Sequence, residues 1–181
     1  MQNDRRIKGL GQRPPLDAEG LERLGLSYAG RYATTRSKLA AYLTRKVRER
    51  GWDGEGPAPV ERLVERFAGL GYVDDRAFAS ARASTLLRRG YGERRVGQAL
   101  RAAGIGDEDS APARQDARDG AWASALRFAE RKRIGPFAAE EPDRAGRERA
   151  YGAMIRAGHP IELVRRLVAA APGQIPDSDA D

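Results

Sequence analysis

The sequence predicts an all-α protein: tandem three-helix, helix-turn-helix-like repeats stacked into an elongated, curved molecule. Three observations carry this. Apolar residues recur at helical spacing, most cleanly in Val60, Leu63, Val64, Phe67 and Leu70, and no useful stretch alternates apolar and polar residues as a strand would. The helix stops Gly51, Gly104 and Gly158 fall at nearly even intervals. Related phrases also return along the chain. Val96-x-x-x-Leu100-x-x-x-Gly104-Ile105 matches Ala150-x-x-x-Met154-x-x-x-Gly158-His159, and Pro59-Val60-Glu61 matches Pro160-Ile161-Glu162. A three-helix unit used three times accounts for all of this; each unit buries too little alone, so neighbours must stack. The expected division is a disordered basic arm at 1–15, repeats at 16–73, 74–116 and 117–171, and a disordered acidic tail at 172–181.

Composition agrees with thin helical layers. Charged residues make up 33% and apolar residues 40% of the 181, leaving much solvated surface around shallow cores. The net charge is +7. A basic surface suits nucleic acid, an acidic protein face or an anionic membrane, or is simply solvated. Arginine far outnumbers lysine, which occurs only at Lys8, Lys38, Lys46 and Lys132; genomic base composition also produces that bias, so it is not read as phosphate recognition. There is no cysteine, which excludes thiol catalysis, disulfides and thiolate metal sites. No apolar run approaches the ~20 residues of a membrane span, and the amino terminus lacks a secretory apolar core. A cytoplasmic location is expected.

In chain order, a first helix is expected over Leu16–Tyr32, with Leu21, Leu24 and Tyr28 on one face and Gly20, Gly25 and Gly30 weakening it. Thr34 or Thr35 caps a second helix that reaches Arg50 on Leu39, Leu43 and Val47, with Tyr42 beside them. A Gly/Pro-rich loop follows at 52–58, and Pro59 opens the third helix. The stretch Leu70-Gly71-Tyr72-Val73-Asp74-Asp75-Arg76-Ala77-Phe78-Ala79 organises the chain around it. Gly71 ends one helix in the left-handed region, and Asp74 or Asp75 starts the next beside the positive end of its dipole. Tyr72 and Phe78 are expected to be buried and to lock this joint. The fourth helix, Asp75–Arg89, is expected to turn Phe78, Ala81, Thr85 and Leu86 inward. After the Arg88-Arg89-Gly90-Tyr91-Gly92 corner comes a fifth, Glu93–Ala103, on Val96, Ala99 and Leu100. Pro112 cannot sit deep in a helix, so only a short helix from about Ser110 is expected there. Helices at 119–133 (Trp122, Leu126, Ala129), 143–157 (Ala150, Tyr151, Met154) and from Pro160 (Ile161, Val164, Leu167, Val168) complete the chain.

The sequence offers no catalytic constellation. It has no HExxH, Walker loop or GxGxxG, and paired acids such as Asp74-Asp75 and Glu140-Glu141 sit at helix starts, where capping explains them. The only histidine, His159, reads as a cap or surface residue. Trp122 and Phe67 lie on apolar stripes, and no row of exposed aromatics is evident for stacking single-stranded bases, which argues for a protein or nucleoprotein partner.

Thr35-Arg36-Ser37-Lys38-Leu39 before a basic helix, then GYVDDRAFA, then RRGYGERRVGQALRAAGI, resembles the RecX family, regulators of the RecA recombinase. The likeness covers residues from about 21 to 106. It implies a fold of three-helix repeats, no catalytic residues, no cofactor, and binding as a monomer to the RecA–DNA filament, in its groove or at its end, modulating assembly, ATP hydrolysis and strand exchange. Lys38 departs from the family pattern, standing where an acid usually completes a capping box. The candidate partner-binding residues are Arg36, Lys38, Arg45 and Lys46 on the second helix, and Arg88, Arg89, Tyr91, Arg94 and Arg95 around the corner. In a row of stacked repeats both clusters would border one groove, meeting acidic recombinase residues or DNA phosphates. The alternative, from a different class, is a direct DNA-binding protein using basic helix-turn-helix-like repeats.

Overall fold

The computed structural model describes residues 14–178, and the chain divides into two compact units, Met1–Val73 and Asp74–Asp181. Among the described residues every regular element is a helix; the one other feature is an isolated parallel bridge between Leu16 and Trp52.

Unit 1 holds α1 (Ala18–Arg31), α2 (Arg36–Arg50) and α3 (Val60–Gly69). Asp17 caps α1, its carboxylate accepting from the Gly20 N–H at 2.7 Å. Thr35 caps α2, its Oγ1 accepting from the Lys38 N–H at 3.2 Å, and no acid stands in that helix's first turn. Helix α3 starts directly after Pro59. The core combines Leu21 with Leu39, Leu43, Val60, Leu63, Val64, Phe67 and Val73. Leu16 belongs to this core but not to α1, a correction to the expected helix start. Its N–H donates to the Gly51 carbonyl at 2.9 Å and its carbonyl accepts from the Asp53 N–H at 2.8 Å, so the chain enters pinned to the α2–α3 loop. Gly25, which the sequence marks only as a weak point, allows close approach: a Cβ there would lie 2.7 Å from Cε2 of Phe67.

Unit 2 runs α4 (Asp75–Arg88), α5 (Glu93–Ala102), α6 (Asp107–Asp119), α7 (Ala121–Lys132), a 3-10 turn at Gly135–Phe137, α8 (Arg144–Ala157) and α9 (Ile161–Ala169). One cluster joins Ala79, Ala83, Leu86, Val96, Leu100, Ile105, Ala113 and Ala117; another joins Ala125, Phe128, Ala129, Ile134, Met154, Val164 and Leu167. The α4–α6 contact is built on alanines. Alanine buries little area but lets backbones come close, and this explains why only Leu86 of the expected inward set is buried. Ala79 and Ala83 are buried, Ala81 is exposed, and Phe78 and Thr85 are half-buried. Ile161, expected inward, is exposed at the start of α9.

Helix α6 corrects two further expectations. It is continuous from Asp107, with Pro112 inside it, and it runs through the expected boundary at 116/117 to Asp119. Pro112 is exposed, so the carbonyl four residues earlier, freed by the missing N–H, can be solvated by water. Asp107, Glu108 and Asp109 fill the first turn, where the helix dipole favours negative charge, and Glu93 of α5 ties to Arg114 at 2.7 Å. The expected disorder of the tail is corrected over 172–178. Gly173 N–H donates to the Pro136 carbonyl at 2.8 Å, and the Arg166 guanidinium donates to the carbonyls of Asp177 and Ser178. Residues 179–181, and 1–13 of the expected arm, lie outside the described residues; Pro14 is held by two donors of Arg50, at 2.7 and 3.0 Å.

Candidate partner-binding surfaces

The two ends of the organising stretch are best taken separately. Gly71 closes α3 at φ 77°. Tyr72 is 54% exposed, a correction to its expected burial: its ring meets only the edge of Phe67, with centroids 5.6 Å apart, while Val73 takes the buried place. Asp74 is the cap of α4, its carboxylate accepting from the Ala77 N–H at 2.8 Å. Asp75 is buried at the first helical position, and Phe78 is half-buried against the alanine cluster.

On α2 the candidate cations differ among themselves. Arg36 is half-buried at the first helical residue, and Lys38, two residues on, is exposed. Arg45 and Lys46 both flank the ring of Tyr42, at 5.6 and 5.9 Å from its centroid, and both approach Glu49, at 3.5 and 2.6 Å. The Lys46 ammonium, chiefly through its hydrogen bond, holds the Glu49 carboxyl below its ordinary value. Tyr42 in turn stacks on Tyr28 of α1, centroids 4.2 Å apart and planes at 15°; Tyr32 follows at 5.3 Å from Tyr28 and is 53% exposed. The sequence reading missed this group. Its signal was present, since residues 28 and 32 are one helical turn apart, but Tyr42 joins them only when α1 and α2 pack.

Around Gly90 the arrangement is different. Arg88 and Arg89 are exposed, Arg88 donating to Thr85 Oγ1 at 3.3 Å. Tyr91 is half-buried near Phe128, with the Arg131 guanidinium 5.7 Å from its centroid. Arg94 donates from Nη2 to the Ile155 carbonyl at 2.7 Å, a second donor to an oxygen that also accepts from the Gly158 N–H at 3.0 Å. Arg127 donates to the Leu87 carbonyl at 3.2 Å, which also accepts from the Gly90 N–H at 2.9 Å, and Arg131 donates to the Arg89 carbonyl just past α4. Arg95 is exposed. The corner itself is clamped to the α8–α9 turn. Gly92 N–H donates to the Ala157 carbonyl at 2.9 Å and Arg94 N–H to the Gly158 carbonyl at 3.3 Å. A Cβ on Gly92 would strike the Gly158 carbonyl, and one on Gly158 would strike the Arg95 backbone, so both positions exclude larger residues by close approach.

His159 completes this clamp, and its expected surface position is corrected. It is 4% exposed, its ring 5.6 Å from Phe128 and its Nε2 3.0 Å from the Gly90 carbonyl. A carbonyl only accepts, so Nε2 carries the proton and Nδ1 does not; buried Nδ1 has no hydrogen-bond partner among the described residues. Burial holds this imidazole below its ordinary pKa, with the Gly90 hydrogen bond opposing.

Among the described residues no cluster of histidine and acidic side chains is placed to hold a metal ion, and no helix is long and apolar enough to cross a membrane. The described residues thus form two all-helical units with exposed arginines on α2 and around Gly90, a class of small helical-repeat protein. Comparison with known proteins gives that class its family. The chain is 33% identical over 160 residues to "Regulatory protein RecX" of Myxococcus xanthus, covering 84% of this chain and 86% of that protein. It is 29% identical over 151 residues to "Regulatory protein RecX" of Agrobacterium fabrum, covering 81% and 80%. Residues 74–113 match the family description "RecX, second three-helix domain". A solved "regulatory protein RecX" superposes with a TM-score of 0.61 at 18% identity, over 82% of this chain and 72% of that one, and so shares the fold. The chain belongs to the RecX family of regulatory proteins.

Proposed function

We propose that this chain is a non-enzymatic regulator that binds the RecA–DNA filament and inhibits its assembly, ATP hydrolysis and strand exchange. The observation that supports this most directly is the similarity to a regulatory protein of the family over 84% of the chain. The arginine-rich helix faces fit the reading: a polyanionic nucleoprotein filament attracts an extended basic surface and raises its rate of encounter. Within unit 2 we read α4–α5–α6 and α7–α8–α9 as successive repeats, joined by the Gly92–Gly158 clamp, which with unit 1 makes three. Contact with the filament runs through the exposed cations Arg45, Arg88, Arg89 and Arg95, with the filament's DNA reached directly or through the recombinase.

The test is recombinase ATP hydrolysis on single-stranded DNA, titrated with this protein at fixed salt. The parent suppresses hydrolysis in a saturable way. The triple variant Arg88→Glu, Arg89→Glu, Arg95→Glu shifts the titration to higher concentration while its melt stays within ~0.5 kcal/mol of the parent, as exposed substitutions do. Arg94 is left in place because its guanidinium holds the Ile155 carbonyl. Hydrolysis unaffected by excess protein, with no recombinase retained in a pull-down, overturns the reading.

A further inference from the structure

We propose that unit 1 carries a stacking platform for the bases of single-stranded nucleic acid, formed by Tyr28, Tyr32 and Tyr42 and rimmed by Arg31 and Arg45. The inference goes beyond recombinase regulation, since it concerns a bare strand. A single exposed tyrosine would mean nothing, because scattered surface aromatics are ordinary. Here three rings converge, from α1, from the residue that caps its C-terminus and from α2. Tyr42 and Tyr28 are face to face at 4.2 Å, and Tyr32, tilted by 53° to Tyr28, stands at the open end with more than half its surface in water. Beside them lies a cleft of about 370 Å³ lined by Ser27, Tyr28, Arg31, Tyr32, Tyr42 and Arg45.

The chemistry of that cleft matches a nucleotide in both its parts. A nucleobase is a flat π-surface, and stacking on an aromatic ring is available to any base whatever its hydrogen-bonding edge. The Tyr28–Tyr42 pair fixes the orientation of the rings in advance, so little side-chain freedom remains to be lost when a base arrives. The backbone phosphates need cations at the rim. Arg31 and Arg45 supply two at the cleft and no acidic residue lines it; Lys46 lies beside the Tyr42 ring, and Glu49, which pairs with Arg45 and Lys46, stands outside the lining. An acidic peptide would use the cations but leave the ring faces without a planar partner. A duplex would offer phosphates but keep its base faces hidden in its own stack. Single-stranded nucleic acid is the class that uses both.

The experiment measures binding of fluorescently labelled strands to the full chain at physiological salt, with no recombinase present. The probes are a run of about 16 thymidines and an abasic strand of equal length and charge. The parent binds the thymidine strand more tightly than the abasic one. Tyr32→Ala weakens thymidine binding by about tenfold, the loss of one stacked base, and leaves abasic binding unchanged. Tyr32→Phe keeps the ring and binds as the parent does. Because Tyr32 is exposed, the alanine variant keeps the parent's melt, which is checked alongside. Equal binding of the two strands by the parent, thymidine binding unmoved by Tyr32→Ala, or no strand bound at this salt would each overturn the proposal. Where strand binding fails these tests and recombinase hydrolysis is still suppressed, the platform falls and the regulatory reading stands.

Discussion

The cationic clusters of the two units look alike on paper and are used differently. At the Gly90 corner, guanidinium groups turn inward onto main-chain carbonyls: Arg94 on Ile155, Arg127 on Leu87 and Arg131 on Arg89. On α2, Arg45 and Lys46 remain at the surface beside a tyrosine stack and share one carboxylate. An arginine has five donors in a rigid fork, and it cannot be known from the side chain alone whether they will meet a phosphate outside or a helix end inside. What separates the clusters is the backbone nearby. The corner brings the C-terminal ends of α4 and α8 together, where last-turn carbonyls take a second donor, whereas Arg45 and Lys46 precede the last turn of α2 and meet a carboxylate instead.

If the corner is built for packing, its most sensitive point is the closest approach. Gly92→Ala should cost about 2–3 kcal/mol, because the new methyl group meets main chain that cannot rotate away. That corresponds to a fall in melting temperature of roughly 10 °C for a unit of this size. A melt equal to the parent's would mean that the two turns separate freely. The next test sets one arginine from each cluster side by side. Arg94→Ala should lower stability by about 1 kcal/mol, the loss of one hydrogen bond to a carbonyl that keeps its Gly158 N–H donor, while Arg45→Ala should stay within about 0.5 kcal/mol. Equal melts for the two variants would erase the distinction between them.

The smallest effect belongs to His159. Its folded pKa lies below the ordinary histidine value because the charged ring would be buried, so the unfolded chain binds the proton more readily. The stability this group supports is fully present above about pH 6.5 and is lost as pH falls from there toward the folded value. Between pH 7.5 and 5.5 the loss from this one group is at most about 1.4 kcal/mol. Chemical denaturation at those two pH values should show a smaller difference for His159→Gln than for the parent. An identical pH dependence in both proteins would show that the imidazole is not shielded as the geometry requires.

Much of the fold was legible in the sequence because long helices advertise themselves. Val60, Leu63, Val64 and Phe67 of the α3 stripe are buried, although Leu70 is exposed past the helix end; of the two caps that each start allowed, Thr35 and Asp74 are used, and Gly71 is the stop that spacing predicted. The failures share a cause: they depend on what packs opposite. Ala79 and Ala83 replaced Phe78 in the core of α4 because α6 comes close enough to need small residues. Tyr72 was left outside because Val73 fills the space. Pro112 survives inside α6 because its face is solvated, a fact that no local pattern encodes. The candidate surfaces were legible as charge and not as geometry. Nothing local distinguishes Arg94 from Arg95, and Tyr42 meets Tyr28 only through tertiary packing.

The clamp also sets a timetable for biosynthesis. Its bonds join Arg94 to a residue 61 positions later and Gly90 to one 69 positions later. At ~5–20 residues per second, a ribosome takes roughly 3–14 s to make the second half after the first. During that interval the glycine corner has been translated but its counterpart has not, and the close-fitting surface meant for the Gly158 turn stays uncovered. Helices α4 and α5 can form early, since their contacts are local, but the tertiary seal must wait for residue 159. A chain released before that point would present an open seam, a natural recognition feature for chaperones and proteases that survey nascent polypeptides.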